Sequence, residues 1–421
     1  MRLRGAALLV LICLSLAGPA DRAGAETAYF LGATAPEDPI ARRQLDRFPC
    51  HSCHGRDGRG GTEGDAPAIN WASLAVAGRD RPAYDAETFF RAVSEGIAAS
   101  GRELSRLMPR YRLSRAEAAA LQAELAALEE RERRGVLPRR VVLGVPQELA
   151  EELGPGLLAA IRRGLSASLA GEAAYGRTVE LRRVGPAAPD PAEDVLAVIA
   201  PPADQVDALT ARGIPVIAPI GQLAGDEDRT IVRAITPSRR HVLQAIARQL
   251  LATGSQGHAI FADRPEEARE LADLIRLSGG VAGRDAARSV PDAILLGHGT
   301  LPPGITAERL WVEWPSLAVR PPPSGPEIIV VLDAPGLVLG AVERNIHPAL
   351  LLAERAGQLA GEALKLAGRD LTRTRFMAAF DAMGRIADLD YGREPLTGTS
   401  NVVFHRLKGR AWGDQVAGAT P

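Results

Sequence analysis

Two cysteines three positions apart, followed at once by a histidine, are the residues of this chain best placed to do chemistry: Cys50-His51-Ser52-Cys53-His54. On one helical turn, two thiols at this spacing can each add to a vinyl group of the same porphyrin. The next imidazole can then present a ring nitrogen to the iron, which makes this the c-type haem attachment pattern. His51 falls between the cysteines, is expected to face away, and is not counted as a ligand. Two other uses of the pair fit less well. A zinc ion wants four ligands, and no further cysteine follows to supply one. A thioredoxin-like redox pair follows a strand in a βαβ unit, whereas Glu37 to Asp46 upstream reads as a helix.

A sulfur donor for the far side of the iron must come from methionine, and after Met1 the chain has Met108, Met377 and Met383. The last two lie in a differently patterned part. Met108 stands in Leu107-Met108-Pro109-Arg110-Tyr111, where Pro109 keeps the chain from continuing a helix and leaves a loop. It is the expected second axial ligand; the alternative is a core-filling methionine. An iron held by His54 and Met108 has no open position, which suits electron transfer.

Those residues need positioning elements. Gly58, Gly60, Gly61 and Gly64 mark a loop after the cysteines that lets backbone approach closely. Asp85 to Ile97 reads as a helix with Phe89, Phe90, Val93 and Ile97 on one stripe. Ser114-x-x-Glu117 is a capping box that opens a last helix, with Leu121, Leu125 and Leu128 on one face.

The chain has 421 residues and a formal net charge of -1. That length favours two or three globular units, and the balance argues against a nucleic-acid partner held by bulk electrostatics. Arg2 and Arg4, the apolar run Ala6 to Leu16 and Ala23-Gly24-Ala25 read as a cleavable export signal over residues 1–25. The apolar run is shorter than the ~20 residues of a membrane span. An uncleaved anchor is the alternative; lipid attachment at Cys13 is disfavoured by Ile12 before it. A periplasmic chain with no membrane span after cleavage is expected. The charged run Glu129 to Arg134 and Gly135 close residues 26–135, and the pattern then changes for residues 136–421.

There, short apolar runs alternate with longer helical stretches. Val141 to Val145, Val195 to Ala200, Pro215 to Ile220, His258 to Ala262, Asp292 to Leu296 and Ile328 to Leu332 read as buried strands. Pro155 to Leu169, His241 to Ala252, Pro265 to Leu277 and Pro348 to Ala367 read as helices. Such alternation predicts parallel sheets with helices on both faces. The proline-rich stretch from His298 to Pro326 reads as irregular. His298, His347 and His405 lack metal spacing and are taken as structural.

Two resemblances follow from these residues. Residues from about 36 to 131 resemble a class I cytochrome c, on Cys50 to Gly55, Asp57-Gly58-Arg59-Gly60, Ala66-Pro67-Ala68, Phe89 to Gly96 and Met108 to Ser114. The resemblance implies an all-α cytochrome c fold with one haem c, in which the Pro67 carbonyl accepts the proton on the second ring nitrogen of His54. It also implies Tyr111 beside the haem or reaching a propionate, where plain core packing is the alternative. The last helix departs from the family in having no aromatic residue between Gln122 and Leu128.

Residues 139 to 406 resemble the type I periplasmic solute-binding proteins of the branched-chain amino-acid receptor kind. The resemblance rests on Val141 to Val145, Gly154-Pro155-Gly156, Asp194 to Ala200, Gly213 to Pro219, Val232-Arg233 with Thr236-Pro237-Ser238, Val242 to Leu251, and Leu371-Thr372-Arg373 with Phe376 to Phe380. It implies a two-lobed α/β fold that closes on a small solute. The loops Pro201-Pro202-Ala203 and Pro219-Ile220-Gly221-Gln222 depart from the family's hydroxyl-bearing ones, and Gln222 is the one polar ligand-binding candidate there. The expected function is a periplasmic mono-haem electron carrier, not an enzyme, serving a redox partner and fused to a module that recognises a solute or docks that partner. The alternative is a solute receptor of an ABC importer with an accessory or sensing haem unit.

Overall fold

The computed structural model describes residues 36–61, 65–78, 81–169, 171, 173–185, 195–228, 230–255, 257–280, 289–297, 300–313, 325–386, 388–408 and 411–415. The expected export signal, Gly64, Asp194 and His298 lie outside them. The chain divides into two compact units, Met1–Arg131 and Glu132–Pro421.

The described part of the smaller unit is all-α. Helix α1 (Pro39–Arg47) starts at Asp38, whose carboxylate accepts from the Ile40 amide at 2.8 Å, with proline at its first position. Helix α2 (Cys50–His54) is the cysteine turn itself, and α3 (Trp71–Leu74) is a single turn. Helix α4 (Ala86–Ser94) begins at a reciprocal box between Asp85 and Thr88. Helix α5 (Arg115–Glu132) begins at the box read from sequence: the Glu117 amide donates to Ser114 Oγ at 3.2 Å, and the Ser114 amide to Glu117 Oε2 at 2.6 Å. Leu121, Leu125 and Leu128 of α5 are buried with Leu45, Phe89, Val93 and Tyr111. Trp71 meets Phe89 edge-on with centroids 5.7 Å apart. Each large apolar side chain so buried contributes roughly 1.5–3 kcal/mol.

The larger unit is α/β, with two six-stranded sheets. The first has the order β2-β3-β1-β4-β5-β6: β1 (Arg140–Pro146), β2 (Ala173–Ala174), β3 (Arg177–Val184), β4 (Val198–Ile199), β5 (Val216–Ile217) and β6 (Val232–Arg233). All neighbours run parallel except β2 against β3. The second has the order β14-β13-β10-β9-β8-β7. Its parallel part is β7 (His258–Ala262), β8 (Ser289–Leu296), β9 (Thr306–Glu313) and β10 (Glu327–Leu332); β13 (Val403–Lys408) and β14 (Ala411–Gln415) continue it antiparallel. A small hairpin joins β11 (Arg385–Ile386) to β12 (Leu389–Asp390).

Helices α6 (Gln147–Glu152) and α7 (Pro155–Ser168) follow β1, and α8 (Val206–Thr210) follows β4. Helices α9 (Arg239–Ala252) and α10 (Pro265–Leu277) cover one face of the second sheet, where Val242, Ile246, Leu271 and Ile275 meet Trp311 and Phe404. The helices Pro348–Ala367 and Arg373–Ala382 come after that sheet's parallel strands, yet pack on the core of the first. The approach of Pro348–Ala367 to α7 is backbone-close: a Cβ on Gly164 would lie 1.9 Å from the Glu354 carbonyl oxygen.

One expectation is corrected. The stretch from His298 to Pro326 is not irregular throughout, because Thr306–Glu313 is a central parallel strand between β8 and β10. Its charged Arg309 hides the strand signal, and the structure gives Arg309 a partner: both Asp292 carboxylate oxygens accept from it at 2.7 Å. Strand β3 was likewise not anticipated, since its Arg182 and Arg183 interrupt the apolar pattern.

Candidate functional site

In the smaller unit, α2 places Cys50, Cys53 and His54 on one short turn. Both cysteines are half-buried and unbridged, and His54 is buried. His54 Nδ1 lies 2.7 Å from the carbonyl oxygen of Pro67, the partner the resemblance names. With Nδ1 donating there, Nε2 is the nitrogen left to ligate. The loop carrying Pro67 is held against the cysteine turn at Gly60, which has φ +79° and whose amide donates to the His54 carbonyl at 2.7 Å. A Cβ at Gly60 would lie 2.3 Å from the Ala66 carbonyl oxygen, so only glycine allows this approach.

Met108 is half-buried and packs on the same apolar cluster as Cys50, Trp71 and Phe90. Tyr111 is buried, and its hydroxyl donates to the Phe48 carbonyl at 2.7 Å, two residues before Cys50. Burial pushes the Cys50 thiol up to about 12. A dithiol redox centre or a thiolate metal site needs the opposite shift. These residues fit a haem held by two thioethers: a turn that presents both sulfurs, an oriented imidazole and an apolar wall that includes a methionine.

In the larger unit, the carboxyl ends of the second sheet's parallel strands gather polar residues. Asp263 follows β7, Gly297 follows β8, Glu313 ends β9 and Asp333 follows β10. Crevices outside such strand ends are where open α/β sheets bind ligands. Arg239, the first residue of α9, is 8% exposed and donates to both Glu313 and Glu267. Glu313 also accepts from the Gly297 amide at 2.6 Å. Burial pushes the Glu313 and Asp333 carboxyls above the ordinary carboxylate range. A groove of about 640 Å³ lies beside Asp263, with Phe261, Arg269 and Thr300 in its walls.

Gln222 comes from the other side, from the loop after β5 of the first sheet. Its Oε1 accepts from Arg239 Nη1 at 2.8 Å, and its Nε2 donates to Asp333 Oδ2 at 2.8 Å. The candidate read from sequence thus meets Arg239 and Asp333, which sequence reading missed, as it did the Glu267 and Glu313 that hold Arg239. Apart from Gln222, the two loops offer no polar side chain. Ala200 and Ala218 turn left-handed (φ 54° and 51°) at the ends of β4 and β5, and prolines follow both. The Ala203 and Ile220 amides are engaged by the carbonyls of Ile220 and Pro201. Of the remaining histidines, His347 caps its helix by accepting from the Ala349 amide at 3.2 Å, and His405 lies in β13.

No protein-family model matches the chain, and no curated protein matches its sequence. Solved structures do. A possible leucine/isoleucine/valine-binding protein from Rhodopirellula baltica is 15% identical, with a TM-score of 0.50 over 67% of this chain and 98% of that one. The two-sheet α/β fold is that of a periplasmic binding protein. A fatty acid ABC transporter substrate-binding protein from Thermomonospora curvata is 13% identical, with a TM-score of 0.48 over 67% of this chain and 92% of its own. A putative branched-chain amino acid ABC transporter protein from Rhodospirillum rubrum is 13% identical, with a TM-score of 0.47 over 66% and 99%. Among the described residues, no helix is long and apolar enough to cross a membrane.

Proposed function

We propose that this chain is an exported solute-binding protein whose larger unit takes up a small molecule at the facing strand ends of its two sheets, and whose smaller unit carries one covalent haem c. The observation that carries the reading is Gln222 of the first sheet's loop meeting Arg239 and Asp333 at the carboxyl ends of the second. A polar contact at that place puts hydrogen-bonding groups where a two-lobed binding protein holds its solute. The names of the neighbouring structures, among them a leucine/isoleucine/valine-binding protein and a fatty acid substrate-binding protein, point to receptors of ABC importers. The test is a thermal-shift screen of the full chain against amino acids, fatty acids, alcohols and amides. A saturable rise in Tm for one class supports a receptor; silence across all classes would leave a docking scaffold for a redox partner.

The haem reading stands on its own observation, the His54–Pro67 contact beside the cysteine turn. Cys50 and Cys53 would hold the group, with His54 and Met108 on its iron, and when bound it supplies one-electron transfer. The chain's part is to orient the imidazole through Pro67 and to exclude water with Trp71, Phe89, Phe90 and Met108. A periplasmic electron carrier docking its redox partner is the second reading of the whole chain, favoured by this turn. Met108→Ala is expected to leave haem attached but convert the iron to high spin; an unchanged visible spectrum of material from a cytochrome-maturation host would refute the assignment.

A further inference from the structure

Gln222 is a side-chain carboxamide held at both ends. Arg239 Nη1 can only donate, so it fixes the amide oxygen; the Asp333 carboxylate faces the amide nitrogen, each at 2.8 Å. We infer that the Arg239–Asp333 pair is built to read a neutral group with a carbonyl and an amino nitrogen on one carbon, a primary amide or a urea, and that Gln222 occupies this place as an internal substitute. The inference rests on the solute-binding reading above and names its substrate class.

Two other ligand classes fit poorly. A carboxylate would need net positive charge, which this cluster does not offer. The Arg239 guanidinium is already answered by Glu313 and Glu267, and Asp333 adds a further acid. Pro201, Pro202 and Pro219 have no amide hydrogen, and the Ala203 and Ile220 amides are engaged. An ammonium would find Asp333 but would set its charge against the guanidinium at the place where the Gln222 oxygen sits. A neutral acceptor–donor group satisfies both partners at once. Gln222 sits on a loop, half-buried, so it can swing away when a solute brings the same two hydrogen bonds.

The experiment is calorimetric titration of the full chain with propionamide and urea, and with propionate and propylammonium as charged counterparts. Wild type, Gln222→Ala, Gln222→Ser and Gln222→Ala with Asp333→Ala are compared, each shown by circular dichroism to keep its fold. Removing the internal substitute is expected to tighten propionamide binding about tenfold, the size of one or two net hydrogen bonds. Adding Asp333→Ala is expected to reverse that gain. The inference is overturned if either single variant binds propionate or propylammonium more tightly than propionamide, or if amide affinity does not rise in either. A leucine or fatty-acid signal without an amide signal would sink this inference while leaving the receptor reading intact. Absence of binding by every class in the screen would remove both.

Discussion

The two units hold their candidate chemistry in opposite ways. In the smaller unit, three of the four proposed haem-holding side chains lie within Cys50–His54. One helical turn brings them together, and tertiary structure adds only the orienting carbonyl and the methionine. In the larger unit the site is assembled from strand ends: Gln222 reaches Asp333 across 111 positions and Arg239 reaches Glu313 across 74. A local motif survives as spacing in the sequence. A dispersed site becomes visible only when the sheets align the ends of their strands.

The largest expected effect tests the local side of this contrast. Replacing Cys50 and Cys53 together by serine should abolish covalent haem in exported protein, read by peroxidase staining of a denaturing gel. The larger unit's thermal transition should not move. Haem retained through denaturation would break the reading of the turn.

Next comes the dispersed site. Arg239→Ala leaves Glu313 and Glu267 buried without their shared cation, and should cost the larger unit about 3–5 kcal/mol. Denaturant unfolding checks this, and adding Glu313→Gln should restore part of the loss. A cost below about 1 kcal/mol, the range of exposed pairs, would mean the cluster is solvated and not a buried network.

A smaller effect joins the two kinds of evidence. Gly60→Ala puts a methyl group against the Ala66 carbonyl and the Pro67 backbone at a left-handed φ. A loss of about 1–3 kcal/mol in the smaller unit is expected from strain of that kind. The Pro67 loop should retreat from His54, shifting the visible spectrum of haem-loaded protein. Unchanged stability and spectrum would show that the loop does not orient the imidazole.

The same contrast accounts for what could be read in advance. The helices Pro265–Leu277 and Pro348–Ala367 and the strand His258–Ala262 begin and end where their periodicity and prolines place them. The runs Val195 to Ala200 and Pro215 to Ile220 contract to two-residue strands, because Ala200 and Ala218 leave the extended region before prolines that cannot donate to a ladder. Strand β9 was hidden because its pattern mixes Glu308 and Arg309 with Leu310, Trp311 and Val312. Its charges make sense only beside Asp292, which is fully buried and also accepts from Trp311 Nε1 at 2.8 Å. Gln222 was legible as the one polar residue in a proline-rich loop. Arg239, Glu267 and Glu313 looked like ordinary surface charges, since nothing local marks a charge as buried.

The smallest expected effect concerns His258, which lies beside Asp292 in register on β7 and β8. It is 2% exposed, and its Nε2 has no hydrogen-bond partner. Burial holds its imidazole below the ordinary value near 6.5, and the Asp292 charge only partly opposes this. As pH falls, the unfolded chain therefore binds the proton before the folded chain does. The stability carried by neutral His258 is present above the unfolded value and drains away as pH falls through the folded one, at up to about 1.4 kcal/mol per pH unit. His258→Gln removes this titration. Its Tm offset from wild type, measured from pH 7.5 down to 5, should shrink or change sign as acid weakens the wild type faster. Parallel curves over that range would mean His258 binds its proton equally well in the folded sheet, and that Asp292 fully offsets burial at that strand pair.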